Sequence, residues 1–164
     1  MRRKCKSVLT LLLTFPVLAM AADYDANGVP LGAGERDIKK HFPSAFCKPL
    51  EWTTSAADRR CDDAKIVLGG VEARITFYLK KDAVQAFDVR FDTKDLEPLT
   101  SYLKKHYGKP FAETRETIQG RGAIYKVRWE SGQDQAVLVA QLDKRRAALS
   151  VSRGKFDEEI YRIR

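Results

Sequence analysis

Two short stretches, "RITFYL" and "FDVRFD", constrain the fold of this 164-residue chain more than any others. In the first, Ile75, Phe77 and Leu79 alternate with Arg74, Thr76 and Tyr78. In the second, Phe87, Val89 and Phe91 alternate with Asp88, Arg90 and Asp92. Period-two alternation sends the two sets to opposite faces of a strand, and the apolar set must be covered by another layer. "KKDA" between the stretches reads as a hairpin turn, and "KIVLGGV" before them reads as a third strand whose Gly69-Gly70 pair makes a tight connection. The centre of the fold is therefore an antiparallel sheet with one buried face.

Two helices are expected to supply the cover. Leu96, Leu99, Leu103 and Tyr107 form one helical stripe, with Asp95 at the capping position, Pro98 tolerated in the first turn, and Gly108 and Pro110 as stops. A shorter helix begins near Glu35, carries Ile38 and Phe42 on one face, and stops at Pro43. Strand-like segments follow the second helix in "FAETRETI", "AIYKVRWE", "QAVLVAQL" and "AALSVSR", separated by "QGRG", "SGQD" and "DKRR". "FDEEIYRIR" reads as a short closing helix. The expected class is α+β: an antiparallel sheet with helices on one face, built from two pseudo-repeated α-β-β-β units at about 34–92 and 93–164.

Both helices end in Lys-Lys-His-aromatic, as "IKKHFPS" and "LKKHYGKP", with His41 and His106 in matching places. Cations suit a helix C-terminus, and Phe42 or Tyr107 can anchor that turn to the sheet. The two histidines are accordingly assigned a structural role rather than a catalytic one.

The chain opens with Arg2, Arg3, Lys4 and Lys6 before an apolar run from Val8 to Leu18, and Ala19-Met20-Ala21 supplies small residues for cleavage. This is the pattern of a signal peptide over 1–21, too short for a membrane span. Ala22 and Asp23 stand where a lipoprotein would carry its cysteine, so no lipid anchor is expected. The leader holds four of the 30 basic residues and none of the 22 acidic ones, so removing it lowers the net charge from +8 to +4. Such a balance in an exported chain favours anionic envelope or acidic partners over nucleic acid. Only Cys47 and Cys61 remain, and a pair in an oxidising compartment reads as a structural disulfide. Residues 22–33 are polar and turn-rich and read as a flexible N-terminal arm, leaving 34–164 as a single domain. The expected location is periplasmic or secreted.

The order "VPLGAGERDIKKHFPSAFC…C", then antiparallel strands, then a second helix with strands, resembles the tandem helix-and-sheet modules of the beta-lactamase-inhibitor-protein family. It is also similar to the single module of the SmpA/OmlA-type (BamE-like) outer-membrane-assembly lipoproteins, although their lipid-carrying cysteine is absent. The resemblance implies a binding scaffold whose exposed sheet face meets another macromolecule.

Motifs for chemistry are thin. Asp23, Asp25, Asn27 and Gly28 match the first half of a calcium loop, but Gly34 occupies the twelfth position and Pro30 stiffens the middle. Serines 44, 55, 101 and 131 lie in no nucleophile elbow, and Asp62, Asp63, Glu113 and Glu116 offer no more than common carboxylates for a hydrolase. No metal, cofactor or catalytic residue is assigned. A small exported hydrolase with an unrecognised site is the alternative function. The main expectation is a non-catalytic binding or envelope-associated protein that recognises a protein or anionic envelope partner through Arg74, Tyr78, Arg90, Lys126 and Arg128 on the open sheet face.

Overall fold

The alternating stretches become neighbouring strands of one large sheet. The computed structural model describes residues 24–120, 122–160 and 162; the expected signal peptide at 1–21 lies outside them. Strands β1 (Asp25–Ala26) and β2 (Val29–Pro30) form a small hairpin. Helix α1 (Glu35–His41) follows, then β3 (Phe46–Pro49), β4 (Arg59–Leu68), β5 (Val71–Lys80) and β6 (Ala83–Phe91). Helix α2 (Leu96–Tyr107) leads into β7 (Ala112–Ile118), β8 (Gly122–Ser131), β9 (Asp134–Gln141) and β10 (Arg146–Arg153), and α3 (Phe156–Glu159) closes the described chain. The large sheet has eight strands in the order β3-β4-β5-β6-β10-β9-β8-β7, and every neighbouring pair is antiparallel. Each long helix thus precedes a four-stranded meander, and the last strands of the two meanders, β6 and β10, meet at the centre.

Register shows which face the helices cover. Directly opposed residues of an antiparallel ladder point to the same side. The pairs Phe77↔Phe87, Phe87↔Val151, Val151↔Ala136 and Ala136↔Trp129 therefore put these five side chains on one face. Phe42, which follows α1, packs its ring 5.2 Å from that of Phe77. Tyr107 of α2 packs 5.9 Å from Trp129. Both helices lie on this face, over a core in which Ile38, Phe77, Phe87, Leu99, Leu103 and Trp129 are essentially inaccessible.

Four expectations are corrected. The segment around 24–33 is packed rather than flexible, because Asn27 (φ 48°) and Gly28 (φ 86°) make a tight turn that returns β2 beside β1. Tyr24, Ala26, Val29 and Leu31 are buried as a result. The segment around Cys47 contributes a further strand, β3, which pairs with the start of β4, so the first meander has four strands instead of three. The helices do not share one face: α3 lies on the other. There Phe156 packs 5.4 Å from Tyr78, and Ala56, Ala57, Ala86 and Ile160 complete a second small core with Leu50 and Trp52 against it. Tyr78 is consequently buried and is not part of an open recognition face. Phe156 and Ile160 need an apolar seat, and Tyr78 with its cross-strand partner Ala86 provides one.

The Cys47–Cys61 disulfide is formed, joining residues that are also direct β3–β4 register partners. No helix among the described residues is long and apolar enough to cross a membrane.

Candidate functional site

The face opposite α1 and α2 can be read strand by strand. Arg74 opposes Arg90, Arg90 opposes Ala148, Ala148 opposes Val139, Val139 opposes Lys126, and Lys126 opposes Thr114. A parallel row runs Thr76, Asp88, Ser150, Val137, Arg128 and Ala112. The middle strands β10 and β9 thus contribute short or modest side chains, while β5 and β6 on one side and β8 on the other carry long cations. The result is a trough floored by Ala148, Val137 and Val139. The Cα atoms of Arg90 and Lys126 stand three strand spacings apart, about 14 Å. The second small core under α3 blocks one end of the trough, and the other opens toward Arg145 and Arg146.

At that open end the surface dips into a concavity of about 960 Å³. Five basic side chains line it, namely Lys65, Arg74, Arg90, Arg145 and Arg146, against two acidic ones, Glu72 and Asp92. Asp92 is already committed: one oxygen accepts the Lys94 backbone N–H at 2.9 Å and the other lies 3.6 Å from Arg145. Arg74 has no ion-pair partner among the described residues. Like charges directly opposed across a ladder are destabilising, so the Arg74/Arg90 pair works against the sheet that carries it.

Asp88 modulates this wall. It sits beside Arg90 on the same face, and burial pushes its carboxyl above the ordinary range, against the opposing pull of a Ser150 hydrogen bond and of Arg90. Its negative charge offsets Arg90 only at a desolvation cost.

All five expected residues are on this face, but only four are uncovered, and these form two groups rather than one. Arg74 and Arg90 make one wall, Lys126 and Arg128 the other, and Tyr78 is withdrawn beneath α3. Arg128 is partly occupied, with Nε 3.1 Å from Glu130 and its guanidinium 4.8 Å above the Phe111 ring. Sequence reading missed Lys65, Arg145 and Arg146. Arg146 shares its face with Ala148 and Ser150 by simple alternation along β10, a signal hidden because "DKRR" was read as a loop.

The two histidines clamp the N-terminal hairpin. His106 Nε2 lies 2.8 Å from Asp25 Oδ2, and the other oxygen of Asp25 accepts the Gly28 N–H at 2.8 Å. Tyr107 donates its hydroxyl to the Asp25 carbonyl at 2.7 Å. His41 lies against Gly28, where an added Cβ would come within 3.0 Å of the ring. Among the described residues no serine hydroxyl is hydrogen-bonded to either ring. Among the described residues there is one group of potential metal donors, Glu35 with Cys47 and Cys61, but its two sulfurs are bonded to each other.

No protein-family model, curated protein or solved structure matches this chain.

Proposed function

We propose that this chain is an exported, non-catalytic binding module, periplasmic or secreted, that holds an anionic partner in the trough of its open sheet face. The single observation that carries the proposal is the Arg74/Arg90 pair, opposed across a ladder at the rim of a concavity with an excess of cations. An anion bridging the two guanidinia turns their mutual repulsion into a paired site. The apolar floor of Val137, Val139 and Ala148 suits a ligand with a body as well as a charge. A protein or envelope polymer bearing carboxylates or phosphates has both features. The disulfide accords with an oxidising compartment. The symmetric strand order supports treating each long helix and its meander as one unit used twice, as the resemblance to tandem helix-and-sheet modules implies.

The test compares retention of the folded protein on an immobilised sulfated polysaccharide with that of two charge-matched variants. Arg74→Glu/Arg90→Glu reverses the wall; Lys40→Glu/Lys105→Glu makes the same change in net charge at the exposed helix ends on the opposite face. The wall variant should elute at clearly lower salt than the control variant, and wild-type retention should weaken with salt. Equal loss in both variants would reduce the interaction to net charge and remove the trough from the account.

A further inference from the structure

The two edges of the large sheet are very different. On one side β3 is four residues long, ends at Pro49, and is tied to β4 by the disulfide. On the other side β7 runs seven residues, pairs among the described residues only with β8, and is exposed at every position after Ala112. Such an edge presents an unsatisfied ladder of N–H and C=O groups, and proteins normally protect it. Here the protection is limited to the charges of Glu113, Arg115 and Glu116, which are of both signs, and the exposed Phe111 and Ile118 bracket them.

The side chains of β7 specify what can pair with it. Glu113 opposes buried Val127 and so lies on the helix face, with Arg115 and Thr117, while Ala112, Thr114 and Glu116 lie on the trough face. A second copy related by a two-fold axis perpendicular to the sheet keeps these faces aligned, and then the two residue numbers of each opposed pair add to an even total. With Arg115, Glu113 or Glu116 on the axis, two like charges face each other. With Thr114 on the axis, Glu113 faces Arg115 of the other copy twice over and Glu116 faces Ala112. This register also brings Ile118 of each copy beside Pro110 and Phe111 of the other. Arg115 is exposed and has no ion-pair partner among the described residues. Glu113 accepts from Lys104 at 2.7 Å and from the Tyr125 hydroxyl, and an ionised carboxylate has lone pairs left for one more donor.

We propose that two copies of this chain associate antiparallel through β7, with Thr114 on the two-fold axis and reciprocal Glu113–Arg115 pairs across the seam, to form one continuous sixteen-stranded sheet. The association closes at two copies because the β3 edge is short and ends in proline. It also joins the trough faces, placing the Lys126 and Arg128 walls on either side of the seam, although the self-pairing does not depend on what the trough binds.

Sedimentation velocity over a concentration series should show a reversible dimer for the wild type. Under mild oxidation Thr114→Cys should form a disulfide-linked dimer. Thr117→Cys should not, since the two copies of that residue lie about 20 Å apart in this register. Glu113→Arg and Arg115→Glu should each weaken the dimer at least tenfold. An equimolar mixture of these two variants should recover it, because the heterodimer restores two opposite-charge pairs where each homodimer has two like-charge ones. A wild type that stays monomeric throughout overturns the proposal, as does cross-linking at 117 as fast as at 114. If both charge variants fold by circular dichroism and the mixture remains monomeric, the register is wrong; if either misfolds, the cysteine pair decides the question.

Discussion

Reducing the Cys47–Cys61 bond should lower the melting temperature by about 6–12 °C and leave the fold in place. The bond links residues 14 apart in sequence, and in the chain-entropy model closing a loop of that length stabilises by about 3 kcal/mol, because it restricts the unfolded chain. A domain of this size shifts by roughly 2–4 °C per kcal/mol, which gives the stated range. The native loop does not depend on the bond. Leu50 and Asp58 are joined through a 2.9 Å backbone hydrogen bond, Asp58 donates to the Leu79 carbonyl at 2.9 Å, and Trp52 and Thr54 donate to the carbonyls of Ile160 and Glu159 at 2.9 and 2.7 Å. These contacts hold the reduced protein in the same conformation, but they vanish on unfolding, so they do not replace the entropic effect. Calorimetry with and without reductant measures the difference, and intact mass after alkylation counts the thiols. A shift below about 2 °C at full reduction would refute the chain-entropy reasoning. Loss of the cooperative transition would show instead that β3 and the loop depend on the bond in the native state.

Two further outcomes follow from buried polar groups. Tyr107→Phe leaves the Asp25 carbonyl without its donor and should cost about 1–2 kcal/mol in urea unfolding. Because burial, aided by Asp25, raises the Tyr107 hydroxyl well above 10, folding favours its protonated form; the wild type therefore loses stability as pH rises past 10, and Tyr107→Phe should lose it less steeply. The sign is the same for Asp88, whose raised carboxyl contributes stability below its unfolded value of 3.8 that is lost as pH rises through the folded value. Asp88→Asn should therefore be more stable than wild type at neutral pH, with the gain fading as pH falls toward 3.8, and denaturation at pH 7 and pH 4 checks both halves. An Asp88→Asn protein less stable at pH 7 would mean that its attraction to Arg90 outweighs its desolvation.

What was legible in the sequence is what alternation and helical spacing encode within ten or twelve residues. Phe77 and Phe87 identified a strand pair and its buried face, Leu99 and Leu103 a covered helix, and the four segments after Gly108 four strands. Contacts between distant segments were not legible. Tyr24, Ala26 and Val29 look like ordinary members of a polar stretch, and distant contacts such as that of Tyr24 with the Tyr107 ring, about eighty residues away, carry them into the core. Tyr78 alternates like an exposed residue, and it is buried because Phe156 and Ile160 return to it from the far end of the chain.

The candidate site was half legible for the same reason. Alternation along one strand says which residues share a face, so Arg74, Arg90, Lys126 and Arg128 were found. It says nothing about strand order. Had β6 been followed in space by β7, that single strand, with Ala112, Thr114 and Glu116 on this face, would have been all that separated the two cationic walls. Pairing β6 with β10 instead places Ala148 and Val139 between Arg90 and Lys126 and brings Arg146 to the rim. The trough is thus a consequence of how the two meanders meet, and the ligand chemistry proposed for it, anionic groups carried on a body about two strands wide, follows from that topology as much as from the arginines themselves.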